Sequence, residues 1–201
     1  MNADSRRLRV VACIAGIAAT AALASACGNG GKPQAAAKSP PLTSYSGSYV
    51  SFSYPAGWKA LRFQRPLELH SFPLVYLSTQ AIHSPCRTQG NQTTCGWPLE
   101  HLRPGGVLAV WQVPYAPPCA GCASGRAGTA VRIGGRSATR QVKAGGVCRA
   151  IGADRTIDVM VKNSVEFMAC LRGPNLARNE RRIDALLRSA QFPPAGSGST
   201  S

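Results

Sequence analysis

Eight cysteines are the most conspicuous chemistry-bearing side chains in this 201-residue chain, and two of them, Cys119 and Cys122 in PPCAGCASG, have C-x-x-C spacing. Such a thiol becomes a redox nucleophile when a helix start lowers its pKa. Here prolines precede the motif and Gly125 closes it, with no strand-helix-strand pattern around it, so a redox role is not expected. Cys119, Cys122, Cys148 and Cys170 match a zinc site in ligand number but contain only one close pair, and haem attachment lacks its histidine because Ala123 follows Cys122. The three histidines are His70, His83 and His101. Glu68 with His70 and Glu100 with His101 are the candidate dyads, and the first pair, two residues apart, shares a face if the segment is a strand. That pair could orient a base for a serine nucleophile. The chain nevertheless contains no GxSxG elbow, HExxH helix or phosphate-binding loop. No catalytic, cofactor-binding or metal-ligating residue is therefore expected, and the chain reads as non-enzymatic.

Its beginning carries a stronger signal. Arg6, Arg7 and Arg9 precede an apolar run over residues 10–23, which suits the hydrophobic part of a signal peptide and is short for a membrane span. The run closes on Leu23-Ala24-Ser25-Ala26-Cys27-Gly28, which resembles the lipobox of bacterial lipoproteins, with the favoured leucine one place further from the cysteine than usual. The resemblance implies a diacylglyceryl group, with chains such as palmitate, on the thiol of Cys27 and cleavage ahead of it. The bland alternative is an ordinary secretory signal cut near Ala26. Ser5-Arg6-Arg7 resembles a twin-arginine signal, but Arg9 stands where an apolar residue is usual, which favours the general secretory route. Two buried acyl chains anchor stably where one does not, at about 0.8 kcal/mol per methylene. The expected organisation is a signal peptide at 1–26, a lipidated tether at 27–48 rich in Ala, Pro and Ser, a folded domain at 49–192 and a disordered tail at 193–201.

Export places the remaining cysteines in an oxidising compartment. Setting aside Cys13 and Cys27 leaves Cys86, Cys95, Cys119, Cys122, Cys148 and Cys170 as disulfide candidates. Cys86 and Cys95 flank the polar CRTQGNQTTC with Gly90 near its middle, so a local bridge is expected there. If residues 146–150, 155–162 and 165–171 form a meander, Cys148 and Cys170 stand two strand spacings apart, about 9.6 Å against the roughly 7 Å a disulfide tolerates. Either the sheet is not a simple meander, or Cys119 and Cys122 are stitched to those two strands, the preferred arrangement.

Alternation of bulky and small polar residues over 49–54, followed by Pro-Ala-Gly-Trp, predicts a strand and a turn. Further strands are expected at 69–79, 107–113, 130–133, 138–142, 147–151, 156–161 and 165–171, pairing antiparallel across short turns. Leu176, Ile183, Leu186, Leu187 and Ala190 recur at helical spacing with Arg178, Arg181, Arg182 and Arg188 between them. Pro174 suits the first turn, and Pro193 and Pro194 stop the helix. The expected fold is α+β: a mainly antiparallel sheet of about 6–8 strands with a C-terminal amphipathic helix packed on it.

The strand and turn SFSYPAGW, the hairpin VRIGGRSA and the closing ACLRGP, followed by a helix ending LLRSAQF, resemble exported actinobacterial lipoproteins of uncharacterised function. The Pro-x-Gly-Trp turn and the closing helix also resemble the PsbP-like α/β/α sandwich. The resemblance spans residues 45–192, and its motifs are structural. It implies an extracytoplasmic accessory or binding role and transfers no functional residue. The chain departs from the PsbP-like pattern in having no helix between its early strands, which leaves the second sheet face to be covered by the disulfide loop.

Charge completes the reading. Lys+Arg 23 against Asp+Glu 8 gives a net charge of +15 and a pI near 10.2. Only Arg6, Arg7, Arg9 and Asp4 leave with a signal peptide, so the excess belongs to the domain. Such a pI ordinarily suggests nucleic acid, but an exported domain does not meet it in the cytoplasm, and no nucleic-acid partner is expected. The expectation is a lipid-anchored protein on the outer leaflet of the cell membrane, with a cationic surface for anionic lipid headgroups, a wall polymer or an envelope protein. The alternative is an envelope hydrolase or a thiol oxidoreductase using Cys119 and Cys122.

Overall fold

The computed structural model describes residues 41–63, 71–114, 128–162 and 164–194. Cys27, Glu68, His70, Cys119 and Cys122 lie outside the described residues. In chain order the strands are β1 (Leu42–Ser46), β2 (Ser51–Pro55), β3 (Lys59–Arg62), β4 (Ser71–Ser78), β5 (Cys86–Gln89), β6 (Gln92–Cys95), β7 (Val107–Pro114), β8 (Thr129–Ile133), β9 (Arg136–Ala144), β10 (Arg155–Val161) and β11 (Glu166–Leu171), before helix α1 (Leu176–Ser189). Seven of them form one antiparallel sheet in the order β3-β4-β7-β11-β10-β9-β8, while β1-β2 and β5-β6 are separate hairpins. The molecule is thus α+β, with its one described α-helix packed on the sheet.

Period-2 alternation gives this sheet two different faces. On β10, Ile157, Val159 and Val161 are buried on one side, and the register Val159↔Phe167 and Phe167↔Trp111 carries that side across β11 to β7. Ile183, Leu186 and Leu187 of α1 cover it together with Tyr45, Phe52 and Tyr54 of the β1-β2 hairpin. Tyr45 stacks on Phe52 with ring centroids 5.0 Å apart. Hairpin and helix share one layer: Ser53 N–H donates to Ser189 Oγ at 2.9 Å, and Ser51 and Gln191 exchange backbone bonds at 2.9 and 2.8 Å. Residues 42–46, expected in the tether because they lack a strong pattern, are a strand through tertiary pairing with β2.

The second face differs from expectation at residues 147–151, read as a strand. They belong to a 3-10 helix, Gly146–Ile151. Gly145 and Gly146 have φ of 68° and 57°, which turns the chain off β9, and Gly152 at φ 76° returns it. One 3-10 turn separates Cys148 from Ile151, so both point inward and are buried. The turn lies over the sheet and not within it. Cys148 therefore reaches Cys170 of β11 directly, in a disulfide with Cα atoms 5.5 Å apart. The two-strand spacing that would keep these cysteines apart does not apply, because Cys148 is not on a strand. Cys86 and Cys95 are also joined, closing β5-β6. Around Cys148 and Cys170, Leu99, Leu102, Ile151 and Ala153 cover Tyr76, Leu108 and Val110.

Two results are expected from these contacts. In the β8-β9 turn, Gly134 and Gly135 have φ of 51° and 80°, as two-residue hairpin turns require. Gly135→Ala should cost about 1–2 kcal/mol for the left-handed conformation alone. Gly134→Ala should cost clearly more, because its Cβ would stand 2.5 Å from the Ala190 carbonyl. Denaturant unfolding of the two variants checks the order. Burial also pushes the Tyr76 hydroxyl up from its ordinary value of 10.0 to about 12. The fold favours the neutral phenol, so this contribution is fully present below pH ~10 and is lost as pH rises toward ~12. Tyr76→Phe should flatten that alkaline loss, as read from unfolding curves at successive pH values.

Candidate functional site

α1 sorts its charges. Glu180 and Asp184, four residues apart, flank the buried Ile183 and turn toward the sheet. Glu180 pairs with Arg155 of β10, and Asp184 with Arg140 of β9 at 3.2 Å. Arg178, Arg181 and Arg188 are exposed, and with exposed Ala185 they follow a 3-4-3 spacing that aligns them along the outer face. At a rise of about 1.5 Å per residue, the stripe from Arg178 to Arg188 is about 15 Å long. Arg182 lies beside it, its Nη1 donating to Asn179 Oδ1 at 3.4 Å. Burial, with the neighbouring Arg178 charge, holds its guanidinium below its ordinary value. The helix layer gains two more cations at its margins. Arg62 stands 5.2 Å from the Tyr45 ring centroid and Arg136 5.1 Å from that of Phe192. Both acids of α1 are thus paired with arginines of the sheet, the Asp184 side chain remaining 40% exposed, while the exposed residues of the helix that carry charge are arginines.

The opposite sheet face is open where the Cys148 turn stops covering it. A trough of about 580 Å³ is floored by Gln141, Lys143, Asp158, Glu166 and Met168 and walled by Val147. Its charged groups are engaged: Lys143 Nζ meets Asp158 at 3.1 Å, and Glu166 accepts a hydrogen bond from Gln112 Nε2 at 3.0 Å. A smaller hollow of about 250 Å³ beside β5-β6 brings His83, Ser84 and Glu100 together. The Ser84 hydroxyl there donates to the Cys86 carbonyl at 3.1 Å, so it serves the turn. His101 and Glu100 are both exposed, and His101 contributes its backbone carbonyl to Gln80 Nε2 at 2.9 Å. No nucleophile-base pair forms among these groups. Among the described residues no three His, Cys, Asp or Glu side chains cluster as a metal site, and no helix is long and apolar enough to cross a membrane.

No family model, curated protein or solved structure matches this chain. A functional reading therefore rests on the residues and their placement. Four arginines between the apolar positions of α1 are visible in the sequence, whereas the placement of its acids is not. The partial signal is Glu180 and Asp184 at i and i+4, bracketing Ile183.

Proposed function

We propose that this protein is an extracytoplasmic lipoprotein, held on the outer leaflet by acyl chains on Cys27, whose domain is a non-enzymatic binding module for an acidic partner. The observation carrying the binding half is the charge sorting on α1, with Glu180 and Asp184 paired inward and Arg178, Arg181 and Arg188 exposed. Guanidinium groups are weakly hydrated and present planar donor forks that match carboxylate and phosphate oxygens. The order of cationic head, apolar run, small residues and cysteine supports the anchoring half. Fractionation of cells expressing the full chain tests it. The wild-type protein should stay with membranes through a high-salt wash and leave with detergent, and Cys27→Ser should abolish incorporation of labelled palmitate. Palmitate incorporation that survives Cys27→Ser, or a wild-type protein that carries no lipid, would contradict the reading.

A further inference from the structure

Two features of the helix layer coincide. The chain enters the folded domain through β1, which pairs with β2, and β2 is bonded to the C-terminal end of α1 through Ser53 with Ser189 and Ser51 with Gln191. Even the residue ahead of β1 is held there, since the Pro41 carbonyl accepts from Ala56 N–H at 3.0 Å. The segment arriving from Cys27 therefore joins the domain on the side that carries the arginine stripe. Thirteen residues lie between Cys27 and Pro41, and that stretch reaches at most about 50 Å fully extended. An anchor at Cys27 would thus hold the point where the chain enters the helix layer within about 50 Å of the leaflet.

We infer that the outer face of α1, through Arg178, Arg181 and Arg188, rests on the anionic phospholipid headgroups of the leaflet holding the Cys27 acyl chains; this rests on the lipid-anchored reading above. Charge complementarity favours it. Arg178 and Arg182 stand one helical turn apart, and the two acids of α1, Glu180 and Asp184, are each paired with an arginine of the sheet. Anionic headgroups relieve that like-charge crowding, and basic residues near such a surface are attracted over about one Debye length. Docking in this pose turns the opposite sheet face, with Val147 and the trough, away from the membrane.

The test uses the lipidated protein reconstituted in phosphatidylcholine vesicles with or without phosphatidylglycerol. One fluorophore is attached at Ala185→Cys, inside the arginine stripe, and in a second sample at Val147→Cys, a position 63% exposed on the opposite side. Headgroup-bound nitroxide should quench the first label several-fold more than the second when phosphatidylglycerol is present. High salt, or the triple variant Arg178→Gln/Arg181→Gln/Arg188→Gln, should remove the difference while the protein stays on the vesicles. Equal quenching at both sites, or quenching at Ala185→Cys that is indifferent to phosphatidylglycerol, would overturn the docked pose. If soluble polyphosphate immobilises the Ala185→Cys label while phosphatidylglycerol vesicles do not, the acidic partner is a free polyanion and the lipid assignment fails. Release of the whole protein by salt would instead refute the anchor beneath it.

Discussion

Replacing Cys148 and Cys170 together by alanine is expected to lower the unfolding free energy by about 3 kcal/mol, the loop-closure value for a bridge of this span. The two cysteines are 22 residues apart, and both are essentially inaccessible. The bridge holds a 3-10 turn over a face that has no α-helix of its own among the described residues. That second cluster is small, built from Leu99, Leu102, Ile151 and Ala153 against Tyr76, Leu108 and Val110. Small cores depend on such staples more than large ones. The tie also passes through neighbours: Leu102 N–H donates to the Ile151 carbonyl at 2.8 Å, and Arg172 Nη1 donates to the Leu102 carbonyl at 2.6 Å. Losing the bridge should therefore loosen residues 97–104 as well. The Cys86–Cys95 bridge makes the contrast, since it closes a shorter loop on an exposed hairpin. Its alanine pair should cost less in global stability. Equilibrium denaturation of the two double variants decides it, and equal losses would contradict both the loop-length difference and a stabilising role for the buried turn.

Trp111→Ala should cost more still, about 3–5 kcal/mol, the range for truncating a buried aromatic side chain. Trp111 is fully buried on β7, with its ring centroid 4.9 Å from Phe167, 5.9 Å from Phe52 and 6.1 Å from Phe192. It thus joins the sheet to the β1-β2 hairpin and to the segment after α1. Removing it opens a cavity where these elements meet, and their rigid backbones restrict collapse. Its indole Nε1 is buried with no hydrogen-bond partner among the described residues. Trp111→Phe should consequently lose far less, since the aromatic contacts are largely kept and an unsatisfied donor is removed. A phenylalanine variant as unstable as the alanine one, measured by thermal or denaturant unfolding, would mean that the indole is held by something other than packing.

The parts legible in the sequence are those whose local pattern and tertiary role agree. Ile157, Val159 and Val161, or Phe167, Ala169 and Leu171, alternate because one face of their strands is buried, and the apolar stripe of α1 follows the same logic at helical period. The parts that were missed depend on partners distant in sequence or on a local backbone conformation that composition does not reveal. Lys59–Arg62 has no alternation of its own and is a strand because β4 offers an edge. Residues 147–151 contain valine, cysteine and isoleucine, a strand-like composition, yet consecutive glycines at positive φ decide the turn. The candidate surface divides likewise. Arginines between apolar positions of a helix are visible in the sequence, whereas the inward turn of Glu180 and Asp184 depends on Arg155 and Arg140 standing on the sheet beneath.

In the proposed function, the charge of this domain acts through one face and not through its total. Immobilised polyphosphate tests it, with two triple variants of the same charge change: Arg178→Gln/Arg181→Gln/Arg188→Gln on α1, and Arg87→Gln/Arg103→Gln/Arg149→Gln, all exposed, on the other side of the sheet. Attraction of exposed charges weakens as the Debye length falls from about 10 Å at 0.1 M salt to about 3 Å at 1 M, so elution by salt reports the strength of each surface. The α1 triple should elute at markedly lower salt than the wild type, with the other triple close to it. Coincident elution of the two triples would contradict the claim and leave only net charge.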